Sequence, residues 1–377
     1  MALQSSGAIS LNEIHIEAGG STGTTATIND ADIRGLISKS SEATMSFNEW
    51  YGAANLNTRA VTGGSWKKSN ANFANTIDYI DIASTGNSTD FGNLTASRTL
   101  MGACSSLTRC VFAGGNVNRN VGSYDGTRSN EMQYITIAST GNATDFGDLG
   151  NARDGVAGFS NTTRGVFAGG GAGNNFVFTR YVELEYITIA STGNITDFGD
   201  LTVARQDLAG CGSSTRGISA GGGDSSGNAK NEIDYVTIAS TGNATDFGNL
   251  STTGWSLGGA SNSTRGVFFG RNINQAMSSS SHFKNNIDYI TIASTGNATD
   301  FGDLTGNRGL VSAAASDTRA CCFGGAGQNQ SASNDGLTER DFIEYVTIAS
   351  TGNSTDFGNL TDARMGTASA SGAHGGL

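Results

Sequence analysis

The chain has three histidines, His15, His282 and His374, in unrelated segments. No pair of them has metal-ligand spacing, and no Ser–His–Asp set can be assembled around any one. The five cysteines, Cys104, Cys110, Cys211, Cys321 and Cys322, show no metal-ligand spacing either. Cys104 and Cys211 fall where other copies of a repeat have Phe159, Ala260 or Ala314, so they read as small core residues. Carboxylates recur more regularly: Asp90, Asp145, Asp197, Asp246, Asp300 and Asp356 each stand in a TDFG motif. Such a ring could bind cations. The preferred reading is local, with each aspartate accepting backbone N–H groups in its own turn or pairing with an arginine of the repeat. No catalytic side-chain set, metal or cofactor is therefore expected.

Binding chemistry is better represented. Aromatics and cations cluster in irregular stretches: Trp66, Lys67 and Lys68; Tyr124 and Arg128; Phe176, Phe178 and Arg180; Asn228 and Lys230; His282 and Phe283; Glu339, Arg340 and Phe342. Aromatic faces stack on sugar rings and polar neighbours fix hydroxyls, so these residues suit a surface glycan or a protein receptor.

The elements that position them follow from one repeated stretch, ITIASTGNITDFGDL (Ile187–Leu201), whose other copies start at Ile80, Ile135, Val236, Ile290 and Val346. Each unit has four candidate strands. GVAGFS (Gly155–Ser160) is small and apolar. RGVFAGG (Arg164–Gly170) has counterparts at Arg59, Arg109, Arg216, Arg265 and Arg319. EYITIAS (Glu185–Ser191) alternates and is β-branched, and TDFGDL follows the STGN turn. Four short strands per unit of about fifty residues read as one blade of a β-propeller. Six copies predict an all-β, six-bladed propeller over residues 53–377. The recurring arginines are expected between blades, where a guanidinium suits carboxylates and carbonyls.

Spacing separates frame from variation. Tyr186 to Asp197 is 11 residues, as in every other copy. Asp197 to Arg205 is 8, and only the fourth copy departs, with Gly254 in place of the arginine. The stretch from the end of strand two to the tyrosine runs from 13 residues (Gly222 to Tyr235) to 20 (Gly325 to Tyr345). Equivalent loops of a propeller emerge on one face, so this chain has a rigid frame and one variable face. For ring closure, MGTASAS (Met365–Ser371) is the preferred first strand of blade one, and NLNTR, ending at Arg59, is the other candidate.

Composition fits this reading. The 377 residues include 55 glycines and no proline, and the net charge is −11. That charge argues against nucleic acid or an anionic membrane as partner. MALQSSGAIS lacks the basic and apolar regions of a signal peptide, so synthesis in a cytoplasm is expected. The asparagines of the STGN turns, such as Asn194, form N-x-S/T sequons and read as turn residues. Residues 1–52 lie outside the repeat. Ser10 with Glu13, and Ser46 with Glu49, form capping boxes of short helices.

The elements VFAGG, EYITIAS, FGDL and AR together resemble the kelch repeat, with Phe91, Phe146 and Phe198 in place of its usual tryptophan. ISLNEIHIEAGG, INDADIRGLIS and MSFNEWYGA resemble a segment that opens structural proteins of tailed bacteriophages of marine and cyanobacterial hosts. ASTGNATDFGDL is similar to repeats of phage tail and fibre proteins. The resemblance implies a virion component, a tail fibre or receptor-binding protein assembled in the host cytoplasm and acting outside it. Residues 1–52 would then dock on other virion proteins, with Leu11, Ile14, Ile33, Leu36, Phe47 and Trp50 as the apolar contacts. Tail fibres are often homotrimers, although no heptad marks one here. Two alternatives remain. The propeller could decorate the capsid or tail, or it could degrade polysaccharide. The latter needs paired carboxylates in a cleft, for which Asp335, Glu339 and Asp341 are the candidate cluster.

Overall fold

The computed structural model describes residue 14 and residues 58–67, 72–119, 126–174, 177–274, 282–328 and 337–377. The chain divides into two compact units, Met1–Asn57 and Thr58–Leu377. In the first, Ile14 is helical and buried. The capping boxes and the contacts read at Leu11, Ile33, Leu36, Phe47 and Trp50 lie outside the described residues.

The second unit is all-β. Its strands form six blades around an axis, each an antiparallel sheet with four main strands, to which blade six adds a fifth short strand, Ala326–Gln328. Blade three shows the plan. Ala157–Ser160 is innermost, followed outward by Arg164–Ala168, Glu183–Thr188 and Thr196–Asp200. Blade one is assembled from both ends of the unit. Ala368–Ser371 pairs with Arg59–Lys67, matching Ala60 to Ser371 and Gly63 to Ala368. The C-terminal candidate therefore closes the ring.

The core lies between blades rather than within them. Cys104, Val111 and Phe146 of blade two pack with Phe167, Ile187 and Ile189 of blade three in one buried cluster. Alternation in the third strand sends Ile187 into this cluster with blade two and Tyr186, on the opposite face, to the margin of the cluster with blade four. In every blade that tyrosine meets the TDFG phenylalanine edge to face, with ring centroids 5.7–6.0 Å apart. The cysteines at Cys104 and Cys211 are buried core residues, as their place in the repeat suggested.

Three polar devices join neighbouring blades. The first is a buried ion pair. Arg98 pairs with Glu131, Arg153 with Glu185, Arg205 with Asp234 and Arg308 with Glu344, and Arg364 closes the circle on Asp78; Arg271 and Asp288 form the corresponding pair within blade five, where Arg271 reaches the preceding linker by donating to the Thr252 carbonyl at 3.0 Å. Five of these carboxylates immediately precede the repeat tyrosine. In blade two that position is Gln133, whose Oε1 accepts the Thr95 N–H at 2.7 Å, and Glu131 supplies the charge. The TDFG aspartates, read above as arginine partners or turn acceptors, are instead exposed on the outer edge strands. Their strand alternation turns them away from the seam and turns the phenylalanine inward.

Blade five shows how strictly this pair is kept. Gly254 stands where the arginine should be, and the guanidinium comes from Arg271 on the second strand. A Cβ on Gly254 would lie 2.7 Å from the Arg271 Cβ and 2.8 Å from its Cδ, so Arg271 fills the space the missing side chain leaves.

The second device uses the arginines that open the second strands. Arg164 donates from a terminal nitrogen to the Ile238 carbonyl of the next blade at 2.8 Å and stacks 4.3 Å from the Tyr186 ring centre. Arg59, Arg109, Arg216, Arg265 and Arg319 do the same to Ile137, Ile189, Ile292, Ile348 and Ile82. The inter-blade part expected of them is borne out.

The third device protects the outer edge. The STGN turn of each blade bonds to the TDFG strand of the one before. Gly193 N–H donates to the Phe146 carbonyl at 2.7 Å, and the Asn194 side-chain oxygen accepts the Asp148 N–H at 3.1 Å. Edge strands that would otherwise expose unpaired backbone are thus partly covered. The contact requires glycine: a Cβ on Gly147 would lie 2.3 Å from the Gly193 carbonyl oxygen.

Arg205 and Asp234 are both fully buried. R205A should therefore lower stability by about 3–5 kcal/mol in urea unfolding, by leaving Asp234 buried and uncompensated. The paired apolar replacement R205M/D234L should recover most of that loss. G254R should destabilise because its space is occupied, and adding R271A should reverse the effect.

Candidate functional site

Short linkers carry each fourth strand to the next first strand. They surface on the same face as the variable loops, as the bridges Thr99 to Asn116, Asp154 to Gly171 and Trp255 to Asn272 show. Around the axis this face forms a mouth. Its rim is a closed circle of backbone hydrogen bonds. Leu100 N–H donates to the Gly366 carbonyl, Gly155 to Leu100, Asp207 to Gly155, Ser256 to Asp207, Leu310 to Ser256 and Gly366 to Leu310, at 2.8–3.0 Å. All six residues have positive φ, between 54° and 66°, and four of them are not glycine. That is a costly conformation for a side chain and is concentrated at one place in the fold. Below the rim the first strands enclose an axial cavity of about 90 Å³ lined by small residues such as Gly102, Gly158 and Gly210.

The mouth has two unlike sectors. Over blades six and one, Leu100, Leu310, Ala326 and Met365 form an apolar cluster with half-buried Trp66 packed against it. Over blades two to four the sector is charged. Arg128 Nε lies 3.1 Å from Asp154 Oδ2, and its terminal nitrogen donates to the Gly173 carbonyl at 2.5 Å. Arg180 is buried 5.9 Å from the Trp255 ring centre. Gln206 Nε2 donates to Asp207 Oδ2 at 3.3 Å. Burial, helped by the nearby Asp207 charge and opposed by Arg128 and Arg180, pushes the Asp154 carboxyl up to about 6. Burial also raises the Asp207 carboxyl and lowers the Arg180 guanidinium.

The loop residues singled out from the sequence divide accordingly. Arg128 and Arg180 meet in the charged sector, each on a hairpin: Asn116–Arg119 with Gly126–Arg128, and Gly171–Asn174 with Val177–Arg180. Phe178 pairs with Gly173 in the second hairpin. Lys230 lies 3.2 Å from Glu232 and 3.7 Å from Asp224. Lys67 pairs with Asp362, beside Trp66. Phe283 is buried and packs its loop onto the blade, and His282 is partly buried next to it. Arg340 stacks 5.8 Å from the ring centre of Phe342, which is 42% exposed and is the exposed large hydrophobic residue among those described. Tyr124, Phe176 and Asp335 lie outside the described residues.

Asp154 and Asp207 were not among the sequence candidates. Their signal was available in the linkers. After the aligned arginine the successive copies read Thr99–Leu100, Asp154–Gly155, Gln206–Asp207, Trp255–Ser256, Gly309–Leu310 and Met365–Gly366. Constant length hid positions that vary from blade to blade. Among the described residues no group of three or more His, Cys, Asp or Glu could hold a metal ion. The arrangement offers charge, an aromatic surface and hydrogen-bonding groups on one rigid face.

Asp154 makes stability pH-dependent. Its folded value lies above the ordinary carboxylate value, so its contribution is fully present below about pH 4 and is lost as pH rises through 6. Relative to D154N, the wild type should gain on the order of 2 kcal/mol between pH 7 and pH 4, measured by urea unfolding at each pH.

No protein-family model matches the chain. No curated protein matches it.

Proposed function

We propose that this is a virion protein of a tailed bacteriophage, a tail fibre or tail-tip protein that recognises the host surface through the mouth of its propeller. One observation carries the reading. Residues constant across the copies, the tyrosine and phenylalanine, the arginines, and the STGN asparagine and glycine, are engaged in the seams between blades. Variation in length and charge gathers on one face, around a rim that the fold holds rigid. A fixed frame with one variable face is how recognition surfaces are built. The exposed Phe342 beside Arg340 and the charged sector around Arg128 and Arg180 supply the stacking and polar groups that a surface glycan or receptor protein requires.

The remaining parts of this reading rest on the sequence resemblance. The blades are of kelch type. Residues 1–52 form a mainly helical segment that docks on tail or baseplate proteins. The protein is carried in the virion, assembles in the host cytoplasm and acts without catalysis. A homotrimer is an assembly that such fibres often adopt.

Deleting residues 1–52 should leave the propeller melting as before and abolish incorporation into particles. Exchanging the six variable loops with those of a related fibre should change which hosts the particle adsorbs to. An unchanged host range after that exchange would assign the propeller to decoration of the virion instead.

A further inference from the structure

The mouth has an opposite end. There the axial channel is crossed by residues 372–377, which follow the strand that closes the ring. Gly372 N–H donates to the Arg59 carbonyl of blade one at 3.3 Å, and Gly375 N–H to the Ser261 carbonyl of blade five at 2.9 Å. His374 Nε2 lies 3.0 Å from the Ser105 carbonyl oxygen of blade two and 3.3 Å from Ser160 Oγ of blade three. The fit is tight. A Cβ on Gly375 would stand 2.0 Å from the Asn262 carbonyl oxygen, and one on Gly376 would stand 1.9 Å from that of Ser160.

The hydrogen bonds fix the state of His374. Its Nδ1 accepts the Gly376 N–H at 3.0 Å, so it carries no proton. Its Nε2 then carries the proton and donates to the Ser105 carbonyl. Protonation would set an N–H at Nδ1 against the Gly376 N–H. The ring nitrogens meet a carbonyl, a hydroxyl and an amide, none of them charged, and Leu377 folds back on the segment through its N–H to the His374 carbonyl at 3.1 Å. The titratable groups facing the ring from the first strands are the thiols of Cys104 and Cys211, both raised by burial. The turns at this end carry the second-strand arginines, whose guanidiniums are turned to the isoleucine carbonyls, and Asp317, which is exposed.

We propose that residues 372–377 are an acid-released plug of the axial channel, held in place by neutral His374. Burial lowers the His374 imidazole below its ordinary value. The plug's contribution is therefore present above about pH 6.5 and is lost as pH falls below it. Release would open the channel on the face away from the variable loops and leave the closing strand Ala368–Ser371 paired.

Amide hydrogen exchange of the full chain, corrected for intrinsic rates, tests this together with an NMR titration of the His374 ring. Protection of residues 372–377 should fall at least tenfold between pH 7.5 and pH 5.0, with the midpoint of the His374 titration, while residues 368–371 stay protected. Unchanged protection, or a midpoint away from that of His374, overturns the proposal. G375A should abolish protection of 372–377 at both pH values without unfolding the blades. Retained protection in G375A would show that the segment does not seat as a plug.

Discussion

The structure depends on a buried arginine reaching from one blade to a carboxylate on the next. A four-stranded blade has two apolar faces and cannot bury either alone. The Arg205–Asp234 pair and its counterparts at Arg98, Arg153, Arg308 and Arg364 tie each linker to the carboxylate of the following blade. Such a pair gains little over a well-packed apolar contact, but half of it is strongly destabilising. Its effect is therefore on specificity: blades joined out of register would bury charges without partners. Blade five makes the point by exception. The guanidinium has moved to another strand, and Gly254 has given up its side chain to admit it.

Around that constraint the other seams are graded from axis to rim. Backbone hydrogen bonds close the axial circle, arginine–carbonyl bonds span the middle, and the STGN turns cover the outer edges. The arginines donate forward to the next blade, whereas the STGN and linker N–H groups donate back to the one before, so each blade is tied to both neighbours, and the ion pairs close from Arg364 back to Asp78.

Much of the fold was legible in the sequence because strand alternation and turn chemistry are local signals. Six constant tyrosine-to-aspartate spacings give six blades, and Met365–Ser371 announces itself as an unpaired first strand. The seam chemistry was only half legible. The Arg164 class was found because it is constant. The carboxylates were assigned to TDFG because those aspartates never vary, whereas the true partners read Asp78, Gln133, Glu185, Asp234, Asp288 and Glu344. Their identity drifts because either acid can reach a guanidinium, and in blade two the charge shifts to Glu131. Asp154 and Asp207 were missed for a different reason. Each is a single-copy departure, and their proximity arises only when adjacent linkers converge on the axis. Of the loop candidates, Arg128 and Arg180 reach the mouth, whereas Phe283 is spent on packing, a distinction that composition does not carry.

The circle of six hydrogen bonds at the rim also sets the size of the array. Repeats this alike invite unequal exchange, which would add or delete whole units. A fifth-order or seventh-order ring would place successive linkers at a different angle, and the N–H of one could no longer meet the carbonyl of the next at 2.8–3.0 Å. Because each link polarises the one after it, a circle closes with mutual reinforcement and an open arc does not. Leu100, Asp207, Ser256 and Leu310 hold their unfavourable backbone angles within that circle. The rim thus acts as a gauge of symmetry. It lets the chain lengthen its loops freely, and it counts its blades.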